Sequence, residues 1–316
     1  MRTGLVLGGG GLVGAAYESG VLAALQETSG WDARTADIVV GTSAGSHAGA
    51  LLRLGFGPSD LLASQTGEPL SPEGQLLSAR LDRLPQVPTE LLRPRFRMPT
   101  RPLLIRAARH PWRTRAGLLA AAVPTGPFRS SAYADTLRRL AGAMWPTDPF
   151  WITAAHLPLG DRVVFGRDGS PKCDVPAAIA ASCAVPGLFV PVEICGERYV
   201  DGGVHSPTNA DLLESEGCDT VVVVSPMSVG REAMRRRRLN PARLLSRALL
   251  GAEVRRLRRA GAEVIVFQPG ITDLRAMGLN ALDPSRCADV ARTARDAVRA
   301  RLERSPFGAA AEQLAA

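Results

Sequence analysis

The stretch "VLGGGGLVGAAYESGVLAAL", residues 6–25, constrains this chain more than any other. An apolar start, four successive glycines and small residues at helical spacing describe a strand, a tight turn and a helix. Glycines at such a junction mean that something lies too close to the backbone for side chains. "ADIVVGTSAG" repeats the arrangement, with a β-branched strand that breaks at Gly41 and a helix in "AGSHAGALLRLG". Strand, turn, helix, strand, turn, helix predicts a parallel sheet covered by helices. At 316 residues the chain can bury a large core as one big domain or two small ones.

The pattern changes over residues 57–148. Proline and arginine are dense there, strand patterns vanish, and "SDLLASQTG", "PEGQLLSARLDRL" and "SAYADTLRRLAGAM" read as short helices. This stretch is expected to be a helical insertion, with the potential to serve as a lid, inside a single domain 1–316 whose core is 1–56 and 149–306. From Pro149 the α/β alternation returns. "FWITAAHL", "DRVVFG", "LFVPVEI", "RYVDGG", "DTVVVVSP" and "AEVIVFQP" read as strands; "TNADLLESEG", residues 240–260 and Asp283–Glu303 read as helices.

"GTSAG", Gly41 to Gly45, is a G-x-S-x-G motif between a strand and a helix, the context in which such a turn thrusts its serine out at the strand's carboxyl end. Gly41 and Gly45 leave the turn room to close, and Ser43 is the candidate nucleophile. The glycine run admits two readings. Gly9, Gly11 and Gly14 fit the dinucleotide spacing G-x-G-x-x-G, but that site also needs a carboxylate at the end of the second strand. The second strand ends in "GTSAG" and Asp37 stands at its other end. The acyl-transfer reading is complete: backbone N–H groups of Gly9, Gly10 and Gly11 at a helix N-terminus would form an oxyanion hole beside Ser43.

A serine hydroxyl needs a base. His47 lies four residues beyond Ser43 on the same helix, where it cannot easily fold back. His110 is in the arginine-rich stretch and His156 ends a strand. His205 lies in "DGGVHSPTN", only four residues from Asp201, which makes a Ser43/Asp201/His205 triad awkward to build. The alternative is Asp201 itself, at the end of "ERYVD", with Gly202 and Gly203 turning the backbone. A partly desolvated aspartate beside an apolar acyl site becomes more basic.

"GGGLVG" (Gly9 to Gly14), "GTSAG", "AASCAVPGLFVPV" (Ala180 to Val192) and "YVDGGV" (Tyr199 to Val204) resemble, in order and spacing, the successive blocks of the patatin-like phospholipases. The resemblance covers roughly residues 4–56 and 149–226. It implies an α/β fold, a three-layer α/β/α sandwich with a mainly parallel central sheet. It also implies lipid acyl hydrolysis by a Ser–Asp dyad with no cofactor and no metal. Carried over by position, Ser43 is the nucleophile, Asp201 the base and Gly9, Gly10 and Gly11 the oxyanion hole, with Gly14, Gly41, Gly45, Gly202 and Gly203 supporting the motifs. The family usually has Arg or Lys where this chain has Val13. A neutral acyl ester, or a lipid whose phosphate meets arginines of the insertion, is compatible with that change. The rival readings are an α/β-hydrolase-like esterase, a catalytically silent lipid-binding protein and, last, a nucleotide-dependent oxidoreductase.

The net charge of +8 is almost all arginine, since Lys172 is the only lysine. Arg93, Arg95, Arg97, Arg101, Arg106, Arg109, Arg113 and Arg115 fall in a stretch without acidic residues, interleaved with leucines and Trp112. That mixture suits peripheral contact with an anionic membrane surface. No zinc-finger, RNP or helix-turn-helix pattern accompanies the basic runs, and aromatics are too few for base stacking, so no nucleic-acid partner is expected. "RRLRR" at 255–259 reads as a solvated helix face. Five cysteines without C-x-x-C spacing, and neither a leader-like apolar segment nor an apolar run long enough to span a bilayer, point to a cytoplasmic chain with reduced thiols. Cys183 is the expected core thiol.

Overall fold

The computed structural model describes residues 1–81, 123, 125–128, 145–157, 159–235 and 240–304. In chain order the strands are β1 (Thr3–Leu7), β2 (Ile38–Thr42), β3 (Phe150–His156), β4 (Asp161–Phe165), β5 (Val192–Ile194), β6 (Glu197–Asp201), β7 (Thr220–Val224) and β8 (Glu263–Phe267). The α-helices are α1 (Gly11–Ser29), α2 (Ala44–Arg53), α3 (Pro58–Thr66), α4 (Pro72–Leu81), α5 (Val175–Ser182), α6 (Pro241–Arg259), α7 (Ile271–Met277) and α8 (Cys287–Glu303). The α/β class read from the strand–turn–helix alternation is observed. The chain packs as two compact units, Met1–Ser78 with Pro207–Ala316, and Ala79–Ser206.

The first unit is built on parallel strands. β1 pairs with β2 on one side and β7 on the other, and β7 pairs with β8, all parallel. β1, β2 and β7 are buried along their whole length, which is why they read as unbroken apolar runs and not as alternation. The small residues of α1 have a packing reason. A Cβ on Gly20 would overlap the carbonyl oxygen of Ala291 in α8, so the two helix backbones approach closely. Helices α3 and α4, the first pieces of the 57–148 stretch, pack in this unit, with Asp60 accepting hydrogen bonds from the Ser71 N–H and hydroxyl at 2.7 and 2.8 Å. "SAYADTLRRLAGAM", the run Arg93–Arg115 with His110 and Trp112, and residues 236–238 lie outside the described residues.

The second unit departs from the expected alternation. β3 pairs antiparallel with β4 and with β6, and β5 pairs antiparallel with β6. Two of these pairs are joined by turns too short for a crossover: β5 reaches β6 through Cys195 and Gly196 alone, both at positive φ (51° and 79°). "LFVPVEI" is a strand only over Val192–Ile194, because Phe189 instead forms an isolated bridge with Phe128. Tyr199 anchors the sheet face, edge-on to Phe165 at 5.3 Å between ring centroids.

Three further expectations are corrected. "TNADLLESEG" forms only a 3₁₀ turn, Ala210–Leu213. The last helix starts at Cys287, after a separate 3₁₀ turn capped by Asp283. Cys183 is half-buried, and Cys218 is the buried thiol; no two of the five cysteines are joined in a disulfide. Helix α5 was not anticipated, although Asp174 accepts a hydrogen bond from the Ala177 N–H and Pro176 sits in the first turn, an ordinary start signal. Among the described residues no helix is long and apolar enough to cross a membrane.

Candidate active site

Two turns meet at the carboxyl end of the parallel strands in the first unit. β1 and β2 run in register, with Leu7 opposite Gly41, so the glycine loop after β1 and the elbow after β2 emerge side by side. Ser43 caps the start of α2 with φ 52° and ψ −119°, a conformation that a non-glycine residue adopts only at a cost of about 1–3 kcal/mol. Its surroundings hold it there. The Ser43 carbonyl accepts from the Ser46 N–H at 2.9 Å and the Ser46 hydroxyl at 2.6 Å. A Cβ on Gly41 would sit 2.5 Å from the Ser46 Cα, and one on Gly45 would overlap the Leu7 carbonyl. Both outer glycines of the motif are therefore required by space.

The glycine loop lies against the serine. A Cβ on Gly9 would come 3.3 Å from the Ser43 Cβ. The Gly8 N–H donates to the Val224 carbonyl at 3.0 Å and the Gly9 N–H to the Pro207 carbonyl at 2.8 Å. Of the three amides expected to line an oxyanion hole, that of Gly9 is therefore engaged with the Pro207 carbonyl. The N–H groups of Gly10 and Gly11 make no hydrogen bond among the described residues. Gly11, at φ 65°, lies so close to Ala281 that a Cβ would be 2.5 Å from its carbonyl oxygen. Gly14 closes the first helical turn with its N–H on the Gly10 carbonyl. Two adjacent amides, at the positive end of a nineteen-residue helix, are a ready site for a developing negative charge.

Val13 is buried at 3% exposure, its N–H on the Ala281 carbonyl. It belongs to the core. Asp37, the carboxylate at the wrong end for a ribose, accepts from the Thr3 N–H at 2.6 Å and ties the starts of β1 and β2.

In the second unit Asp201 is the last residue of β6, opposite Ala154 of β3 and 5% exposed. Its N–H donates to the Ala184 carbonyl and its Oδ1 accepts from the Gly203 N–H at 2.7 Å. A Cβ on Gly202 would lie 2.6 Å from the Thr153 carbonyl oxygen, and one on Gly203 2.9 Å from Asp201 Oδ1. The two glycines after Asp201 therefore let the backbone fold onto its own carboxylate.

The three described histidines differ in their surroundings. His47 is half-buried on α2, and burial pushes its pKa down to about 4, so it is neutral at pH 7. His156 shares a 2.8 Å contact with Glu197. His205 is exposed, with its N–H on the Gly202 carbonyl. Among the described residues no cluster of His, Cys, Asp or Glu could hold a metal ion.

A family model, patatin-like phospholipase, matches residues 5–213, more than half of the chain and a span that contains both turns and Asp201. The chain belongs to the patatin-like phospholipase family. Its α/β fold, with parallel strands flanked by helices, is the fold expected of such a member, and its class is that of lipid hydrolases. Among solved structures it is similar to VipD from Legionella pneumophila, at 18% identity and a TM-score of 0.46, over 96% of this chain and 67% of that one. It is also similar to the ExoU–SpcU complex of the type III secretion system of Pseudomonas aeruginosa, at 19% identity and a TM-score of 0.29. That match covers 98% of this chain and 60% of the other.

Sequence reasoning missed three features of this patatin-like site. Pro207 receives the Gly9 amide, Asn209 reaches Thr42 just before Ser43, and Glu253 is tied to the same segment. The one sequence signal was an aspartyl-glycine turn followed closely by proline and asparagine, which alone reads as a loop.

Proposed function

We propose that this chain is a serine-dependent lipid acyl hydrolase acting on carboxylic esters. The observation that carries the reading is the strained Ser43 elbow beside a glycine loop in which the Gly10 and Gly11 N–H groups are uncommitted among the described residues. In this reading Ser43 Oγ gives its proton to the Asp201 carboxylate and attacks the acyl carbonyl. The oxyanion accepts hydrogen bonds from the Gly10 and Gly11 amides. The C–O bond to the alcohol then breaks, and the alcohol leaves with the proton held by Asp201. Water next gives a proton to Asp201 and attacks the acyl-serine; the acid departs and Ser43 regains its hydroxyl. No cofactor or metal takes part in any step.

The substrate class follows from the family: phospholipid, lysophospholipid or a neutral acyl lipid. Because Val13 is a core residue, a phosphate-bearing lipid has to find its cation elsewhere. The arginines of 93–115 are the proposed source, and they would also draw the protein to an anionic surface. Equal co-sedimentation with neutral and anionic vesicles would remove that part of the reading.

The decisive experiment is nitrophenol release from a medium-chain nitrophenyl ester, with and without lipid vesicles, by the wild type and Ser43→Ala. Turnover by the wild type and none by the variant supports the hydrolase. No activity from either would favour a lipid-binding protein that keeps the fold.

A further inference from the structure

We infer that Thr208, Asn209 and Glu253 form a clasp of positioning residues that sets the glycine loop and the Ser43 elbow relative to each other. The inference rests on the reading of Ser43 as nucleophile and adds residues that lie outside both turns. Four consecutive residues, Pro207 to Ala210, make contacts in two directions. Pro207 and Asn209 reach toward the two turns: the Pro207 carbonyl takes the Gly9 N–H at 2.8 Å, and Asn209 Nδ2 donates to Thr42 Oγ1 at 3.1 Å. Thr208 and Ala210 reach the other way. The Thr208 hydroxyl and the Ala210 N–H both donate to Glu253 Oε2, at 2.5 and 3.2 Å.

The local conformation explains how one short segment serves both sides. Asn209 is left-handed, at φ 53° and ψ 31°, a geometry asparagine tolerates better than most residues. The side chains of Thr208, Asn209 and Glu253 are 1%, 0% and 7% exposed, so the bonds are made away from water, where an unmade one is costly.

Glu253 is the informative member. It is the only acidic residue of α6, a helix with Arg243, Arg247, Arg255, Arg256, Arg258 and Arg259. A carboxylate on an otherwise basic, mainly exposed helix has no need to be buried. Here it is buried, and a single oxygen of it receives two donors from the segment that also holds Gly9 and Thr42. Thr42 immediately precedes the nucleophile, and Gly9 is the loop residue packed against it. Displacement of Pro207–Ala210 would therefore move the glycine loop and the Ser43 elbow at once. A misplacement of about 1 Å in such a site can cost about a hundredfold in rate.

The test compares the wild type with Thr42→Val, Glu253→Leu and Glu253→Gln. It reads kcat and KM on the nitrophenyl ester, the rate of Ser43 labelling by an alkyl fluorophosphonate, and the thermal midpoint. Thr42→Val and Glu253→Leu should lower kcat and the labelling rate by about tenfold or more, with KM changed by less than about twofold. Glu253→Gln, which keeps an acceptor oxygen in place, should recover most of the loss seen with Glu253→Leu. The double variant Thr42→Val/Glu253→Leu should lose no more than the worse single one, because the clasp acts as a unit. If Glu253→Leu does not fold, Thr42→Val and Glu253→Gln still decide the matter. A Thr42→Val or Glu253→Leu variant that matches the wild type in kcat and labelling, or loses rate only in step with its folded fraction, overturns the clasp alone. A wild type that neither hydrolyses the ester nor labels at Ser43 overturns the hydrolase reading and the clasp with it.

Discussion

Gly9 packs against Ser43 so closely that a Cβ on the glycine would stand 3.3 Å from the serine Cβ. One methyl group at this point should disturb the site more than the fold, because Gly9 is at neither a helix interior nor a positive φ. Gly9→Ala is expected to fold with a modestly lower thermal midpoint and to lose about tenfold or more in kcat. Steady-state kinetics beside a melting curve check this. A variant with full activity would mean that the loop can move off the serine freely.

Ser43→Gly should separate strain from chemistry. Glycine adopts φ 52° without penalty, so the variant is expected to be more stable than Ser43→Ala by about 1 kcal/mol, both being inactive. Urea denaturation of the two variants measures the difference. Equal midpoints would show that the elbow carries no strain.

The base is tested by a pair of substitutions. Asp201→Asn should abolish ester turnover, and His205→Ala should leave most of it, since His205 is exposed and its backbone, at least, serves the Gly202 turn. The opposite ranking in kcat would replace the dyad by a triad that includes the histidine.

Glu18 provides a pH signature. It is wholly buried in α1, its carboxyl oxygens have no hydrogen-bond partner among the described residues, and burial pushes its pKa well above the usual carboxylate value. The Gly8 N–H, engaged with Val224, opposes this only weakly. The folded chain therefore holds a proton that the unfolded chain releases near pH 4.5. Stability linked to this group is full below that pH and is lost as pH rises toward the folded-state pKa. Glu18→Gln cannot ionise, so its thermal midpoint relative to the wild type should climb between pH 4 and pH 8. A difference that stays flat with pH would place an ionised Glu18 in the fold.

Gly45→Ala should be the most damaging of the glycine substitutions in the elbow, because the added methyl overlaps the Leu7 carbonyl of a central strand. Soluble expression and circular dichroism are expected to report a chain that does not reach the native state.

How much of this was legible in the amino-acid sequence depends on the distance over which each contact is made. The elbow and the glycine loop were readable because their constraints are local: a strand, a turn without room for side chains, and a helix start. The engaged amide of Gly9 was not, since its acceptor Pro207 lies far along the chain. "TNADLLESEG" failed as a helix for a different reason. Asn209 is left-handed and its carbonyl accepts from the Leu212 N–H, so the segment closes in the tighter 3₁₀ pattern and not in an α-helix. Arg255–Arg259 suggested a solvated face, and nothing in that composition marked the neighbouring Glu253 as buried. The antiparallel pairing of β5 and β6 was recoverable in principle, from the two-residue connection Cys195–Gly196. Helix α5 was missed although Asp174 and Pro176 supply an ordinary local start signal.

The way the first unit is assembled also governs when it can form during synthesis. β1 is flanked by β7, and the Gly8 and Gly9 amides close on Val224 and Pro207, residues that leave the ribosome some two hundred positions later. Helix α1 waits longer still, for α8 near the end of the described chain. Contacts of such long range make for slow, late folding. The N-terminal third of a nascent chain thus carries the complete "GTSAG" sequence without the partners that hold its neighbouring loop. The consequence is temporal: the serine is translated early, and the loop beside it is completed only when the last described helix is in place.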